Sequence, residues 1–317
     1  MKKMKKLNLL LGTLLATAAL SHAVDSYSDV VGYYKKAFPA GGSLQSVSLL
    51  KPVTFQGVST GISSTVLNCA SATWSAGAFA PVNGLPAFYV EITSGPLEGY
   101  LFDVVSNTGT SVTVGDASIA NAGSSPSFLI RAHTKLSDAL RNATNLNDYA
   151  DQVTVYNADG SVVSFLRDSS TATGWVDATS FSESDAVIYP SQGYVLTTSS
   201  PGDYTVTGTL KSTKTVVPLM AGLVNIVALA NPGGASKDIQ NINLGANLAD
   251  YADQVATYVN DGSLGTSNAL LYGGAADGFL DATSFSPVTG VNVGGNEPVI
   301  VSVSSSTVWK LNPPLSQ

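Results

Sequence analysis

The string NLNDYADQV at residues 145–153 recurs as NLADYADQV at 247–255, and GWVDATSF at 174–181 recurs as GFLDATSF at 278–285. The offsets are 102 and 104 positions, so the landmarks keep their order while two residues are gained between them. A duplicated folding unit behaves this way, and two tandem copies of one β-unit are expected. Tyr149 and Tyr251, Asp151 and Asp253, Trp175 and Phe279, and Asp177 and Asp281 occupy matched positions and form the framework of the repeat. Neither string carries histidine or cysteine, so the framework reads as scaffold. Its aspartates stand at the same place in each copy, which suits turns and caps better than the asymmetric acid and base of a glycosidase. Trp175 and Phe279 read as core aromatics.

Outward from these strings, segments such as AFYVEITSG at 87–95, DYTVTGTL at 203–210 and EPVIVSVSSSTVWKL at 297–311 run in β-branched and aromatic residues and break at Gly, Asn, Asp or Pro. They predict strands. Asn157-Ala158-Asp159-Gly160 and Val259-Asn260-Asp261-Gly262 predict hairpin turns, because these residue types tolerate the positive φ of short loops. Helical periodicity is weak, confined to a turn or two before each repeated motif. There Leu140 or Ile242, Leu146 or Leu248, and Tyr149 or Tyr251 predict an apolar face lying across one end of a sheet.

A fainter echo relates residues 31–52 to 214–232, each a strand, then Ala-Gly, then an apolar strand before proline. After it the first copy carries extra strand and hairpin signals, expected to be a small β-domain inserted in an exposed loop. The expected organisation is a signal peptide at 1–23, a first β-unit at 24–57 with 131–212, an insert at 58–130 and a second β-unit at 213–317. The fold class is all-β: two homologous sandwich-like or barrel-like units, the insert, short helical turns only, and an N-terminal signal helix.

The signal peptide is read from MKKMKK, the apolar run Leu7 to Leu20, and the small residues Ser21 and Ala23 at a cleavage site. Export to the extracellular space, cell surface or periplasm is expected, with no membrane span in the mature chain. The formal net charge of −7 becomes −11 on cleavage, eleven Lys and Arg remaining against twenty-two Asp and Glu. So acidic a chain, with Lys35-Lys36 its only adjacent basic pair after cleavage, is unsuited to nucleic acid or anionic lipid.

After cleavage His133 is the only histidine, and Cys69 is the only cysteine of the chain, so zinc, copper, haem and iron–sulfur sites are excluded and no cofactor is expected. Cys69 reads as a small buried apolar residue. Gly57-Val58-Ser59-Thr60-Gly61 matches G-x-S-x-G, and Asp103 or Asp116 followed by His133 completes a triad order. The match is rejected, because a nucleophile elbow needs a helix after the serine and Ile62 to Leu67 reads as strand. The Asn/Asp-Gly turns lack the dense acidic spacing of a calcium loop and read as turns.

The G-Y-Y-K start at 32–35, EITSGPLEG at 91–99, the ADQV motif and the GWVDATSF segment together resemble a family of secreted β-rich proteins from Verrucomicrobia-type bacteria. The resemblance implies an envelope or extracellular location and no enzyme, cofactor or catalytic residue. The expected function is a non-enzymatic exported structural protein of the cell surface or extracellular matrix. It would self-assemble into a homo-oligomer or polymer through strand edges or by donating the segment Val24 to Phe38, with Tyr27, Val30, Val31, Tyr33 and Tyr34 as the assembly candidates. The alternative is a surface glycan-binding or adhesion module using Trp74, Trp175 or Trp309.

Overall fold

In QVTVY at 152–156, Val153 and Val155 are buried while Gln152, Thr154 and Tyr156 stay half-exposed, the period of two that one covered face imposes on a strand. The chain turns at Gly160, which has φ +87°, and returns as Val162–Arg167. A computed structural model describes residues 31–229, 231 and 236–313, and in it this hairpin sits in a five-stranded antiparallel sheet. Its strand order is Trp175–Asp177, Val162–Arg167, Gln152–Tyr156, Gly193–Thr198, Gly41–Ser46. A second five-stranded sheet has the order Phe279–Asp281, Thr266–Tyr272, Gln254–Tyr258, Val299–Ser302, Asn225–Val227. The fold is all-β, and the two sheets share one topology, each matched string entering at the same point.

Each five-stranded sheet covers its own core. In the first, Val153, Phe165, Trp175 and Leu196 meet Phe38, Leu49 and Tyr204 from a sheet made of β1 (Val31–Phe38), Gly202–Leu210 and Leu49–Leu50. In the second, Val255, Phe279 and Val301 meet Leu219 and Trp309 from the pair Thr215–Leu219 and Thr307–Leu311. The helical content before each motif is a single turn, Leu136–Ala139, in the first copy and two 3-10 turns, Ile239–Asn241 and Gly245–Asn247, in the second.

A seven-stranded antiparallel sheet holds the third core. Residues from all seven strands, among them Phe55, Ile62, Leu67, Val90, Phe102 and Phe128, join one cluster, so the sheet curls around it. The sheet runs from Val53 to Ala132, beginning earlier and ending later than the expected 58–130. The reason is pairing: the entering strand Val53–Val58 lies antiparallel to the leaving strand Ser127–Ala132, with Val58 opposite Ser127. That pairing brings both ends of the insert together, as tolerance of an insertion requires. Cys69 is buried in this core.

The three bodies are joined by polar contacts. The edge strand Gly41–Ser46 of the first sheet receives the hairpin turn of the second: Gly42 N–H donates to Gly262 O at 2.8 Å and Leu44 N–H to Asn260 Oδ1 at 3.0 Å. The second sheet's edge strand Asn225–Val227 is bridged through Val227 to Gln192 of the first. The insert is tied in by buried Glu91, whose carboxylate lies 2.5 Å from Lys211 Nζ and 3.9 Å from Arg131 Nε. No helix among the described residues is long and apolar enough to cross a membrane.

Candidate functional site

Of the assembly residues, Tyr27 and Val30 lie outside the described residues, and Val31, Tyr33 and Tyr34 fall on β1. This strand pairs with Gly202–Leu210 along its whole length, from Val31 opposite Thr209 to Phe38 opposite Gly202. It is therefore a sheet edge completed within its own chain, and a donation mechanism must exchange this pairing for one with a neighbour. Its other side pairs with no described strand. Val31 and Tyr33 are 75% and 79% exposed, whereas Tyr34 packs against the first core and Phe38 is buried in it. Lys36 leans inward and donates to Asn296 O at 2.5 Å, and burial pulls its ammonium pKa down to about 8.

The framework residues form the same local structure twice. Asp151 is buried and accepts from Asn147 N–H at 2.8 Å and from Ser199 N–H and Oγ at 2.7 and 2.8 Å. Asp253 accepts from Ala249 N–H and from Ser304 N–H and Oγ at 2.8, 2.7 and 2.7 Å. Asp177 caps the turn after its strand through Thr179 and Ser180 N–H, and Asp281 does so through Thr283 and Ser284. Trp175 and Phe279 are both buried, the first beneath the Arg167 guanidinium and the second edge-on to Tyr272.

Tyr149 and Tyr251 depart from expectation. Leu140, Ile242 and Leu248 are buried and Leu146 partly so, but the two tyrosines are 58% and 56% exposed. Their backbones sit at φ +59° and +55°, which turns the ring away from the sheet end. Each phenol instead donates to a carboxylate of the following loop, Asp168 in the first copy and Asp277 in the second. Phe181 and Phe285, the last residues of the second repeated string, are likewise exposed at φ +55° and +56°.

The triad residues separate. Ser59 is buried and donates to carbonyls of Gly61 and Asn68, and its N–H meets Pro126 O at one end of the six-residue strand Ser127–Ala132. His133 follows the other end, about 20 Å away at roughly 3.3 Å per residue. His133 does pair with an acid, its Nε2 lying 2.9 Å from Asp103 Oδ1, while Tyr189 donates to Asp103 Oδ2 at 2.6 Å. The rings of Tyr89 and Tyr189 both pack on the histidine, and burial, then the Asp103 charge, raises the Tyr189 pKa. Ser59 does not join this group.

Two of the three tryptophans are withdrawn from the surface. Trp175 and Trp309 are fully buried, Trp309 Nε1 donating to Ile242 O at 3.0 Å, and Trp74 packs edge-on to Phe55 and Phe79. The Asn/Asp-Gly turns are closed internally, Asp159 accepting from Ser161 N–H and Oγ at 2.9 and 2.6 Å and Asp261 from Ser263 at the same distances. Among the described residues no group of three or more His, Cys, Asp or Glu could hold a metal ion.

One cleft of about 520 Å³ opens where the three bodies meet. Tyr100 and Asp116 come from the seven-stranded body, Tyr156, Asp159 and Tyr189 from the first five-stranded body, and Val217 and Ile226 from the second. Sequence pattern misses this site because its walls are far apart along the chain and none belongs to a repeated string. The only local sign is tyrosine ending a strand just before an Asn-Ala-Asp-Gly turn. No known protein family, curated protein or solved structure matches the chain.

Proposed function

We propose that this chain is a non-enzymatic exported structural protein, built of two copies of one β-unit with a third β-domain inserted in the first, and that it assembles with copies of itself along β1. The carrying observation is the distribution of sheet edges. At one edge of each five-stranded sheet lies a strand of three residues, Trp175–Asp177 or Phe279–Asp281. At the other edge the strand contacts the other unit. β1 offers eight residues of edge, more than the six of Val53–Val58 at the edge of the seven-stranded sheet, and begins with exposed Val31, Gly32 and Tyr33. An unprotected strand of this length is a template for another chain. The exposed cation on it, Lys35, is already engaged with Asp203 at 2.8 Å.

Main-chain pairing would have to act against the repulsion between acidic copies, so assembly should strengthen with salt. The test is sedimentation velocity on the mature chain beginning at Val24, compared with Val31→Lys/Tyr33→Glu and with deletion of residues 24–37. The expected result is salt-promoted large species for the native chain, and monomers of unchanged thermal stability for the double variant. A native chain that stays monomeric at high concentration and high salt, or a double variant or truncation that still assembles normally, overturns the proposal. A second reading, a module that holds a surface glycan, rests on the cleft among the three bodies.

A further inference from the structure

The cleft has a division of surfaces that specifies a ligand. At about 520 Å³ it falls within the size of small-molecule sites, which run from about 300 to 1,000 Å³. Buried Val217 and Ile226 supply an apolar floor, and the half-exposed rings of Tyr100, Tyr156 and Tyr189 stand beside it. Asp116 and Asp159 are exposed at the rim. Among the described residues no Lys, Arg or His lines it.

Much of the polar capacity here is unspent. Asp116 uses one carboxylate oxygen on Ser118 N–H, and Asp159 uses one on Ser161. Their second oxygens and the hydroxyls of Tyr100 and Tyr156 take no bond from any described residue. Tyr189 differs, since its hydroxyl is held by Asp103, which is held in turn by buried His133. Its ring is thereby fixed before any ligand arrives, which lowers the ordering cost of binding. The hydrogen bonds from Ser161 keep the Asp159 carboxyl below its usual range, so the rim carries negative charge at neutral pH.

A ligand for this surface must donate hydrogen bonds to carboxylate and phenol oxygens, lay C–H surface on tyrosine rings and an aliphatic floor, and carry no negative charge. A sugar ring without acid groups meets all three demands: its hydroxyls donate and its ring face is apolar. A phosphate, sulfate or uronic acid meets repulsion and finds no cation. We infer that this cleft is a binding site for a short neutral saccharide, with Tyr156 and Tyr189 as the ring platforms and Asp116 and Asp159 as the hydroxyl acceptors. The inference gives the glycan-binding reading its site and stands apart from β1, none of whose residues line the cleft.

The test titrates the mature chain with maltotriose, cellotriose and triacetylchitotriose, and with trigalacturonic acid as the anionic comparison, following saturation-transfer NMR and calorimetric Kd. At least one neutral trisaccharide should bind. Tyr156→Ala should weaken it on the order of tenfold, the loss of one stacking contact worth about 1.4 kcal/mol. Asp116→Asn/Asp159→Asn, at exposed turn positions where the amide oxygen can still accept the capping N–H, should weaken the neutral sugar less and raise affinity for the anionic one. Tyr33→Glu should bind sugar at full strength even where it abolishes assembly, so failure of one proposal is read apart from failure of the other. The site is overturned if no neutral trisaccharide binds, if trigalacturonate binds the native chain equally well, if the tyrosine and double aspartate variants both bind unchanged, or if Tyr33→Glu loses the sugar.

Discussion

A carboxylate buried at the end of a sheet is tolerated only when donors surround it. Asp151 and Asp253 meet that condition by drawing one N–H from the segment before them and both N–H and hydroxyl of a serine some fifty residues on. Each aspartate therefore clasps two remote stretches of its own unit. Replacing Asp151 by Ala strips partners from Asn147 and Ser199 at once and should cost about 3 kcal/mol; Asp253→Ala should cost the same in the other copy. Urea midpoints at constant m-value check this, and a loss under about 1 kcal/mol in either variant would show that water replaces the carboxylate. Equal spacing made the aspartates legible in sequence as architecture. Ser199 and Ser304 were not legible as their partners, because they lie outside the repeated strings. Tyr149 and Tyr251 fall outside the core for a related reason: apolar spacing says which side chains are available for a core, whereas a left-handed backbone sends these two outward.

The hairpins and strand-end turns rest on a second set of aspartates, exposed ones that cap their own loops. Asp159 and Asp261 are held below the usual carboxylate range chiefly by serine hydroxyls, and Asp177 and Asp281 chiefly by the backbone N–H of Ser180 and Ser284. A folded pKa below the unfolded value near 3.8 means that the folded chain binds fewer protons in that range. The stabilisation is then complete above that value and is lost as pH falls through the folded pKa values. Melting temperature should be flat in its dependence on these groups from pH 7 to about 5 and should drop below about pH 4. Asp177→Asn/Asp281→Asn should be less stable at neutral pH and show a shallower acid limb; an acid limb of unchanged steepness would assign the loss to other groups. These turns were the most legible elements in the chain, since Asn, Asp and Gly act within a few residues of themselves. Strand partners were not legible: nothing in the residues of Val53–Val58 says that it pairs with Ser127–Ala132.

The two five-stranded sheets meet by a repeated device, the hairpin turn of one approaching the edge strand of the other. The contact is asymmetric at atomic scale. In one direction the backbones touch: Gly262, at φ +96°, lies so close to Ala40 that an added methyl would collide with the Ala40 carbonyl oxygen, and Gly41 is equally hemmed in by Gly262. In the other direction Gly160, at φ +87°, faces only the Leu223 side chain, 3.3 Å from where a methyl would sit. The two glycines correspond in sequence, yet only one is a docking requirement. Gly160→Ala should cost about 1 kcal/mol, the left-handed backbone penalty, because the leucine end can move. Gly290→Ala, with φ +73° and open space around it, should cost the same. Gly262→Ala should cost about 3 kcal/mol, since backbone cannot yield as a side chain does. Its effect should also differ in kind. The two five-stranded sheets enclose separate cores, so pushing the turn off its edge strand leaves each core intact while uncoupling them. Calorimetry should then resolve the native transition into two for Gly262→Ala and leave it single for Gly160→Ala and Gly290→Ala. A single transition for all three, shifted equally, would mean that cohesion between the sheets lies in their other contacts, such as Glu91–Lys211 and Lys36–Asn296.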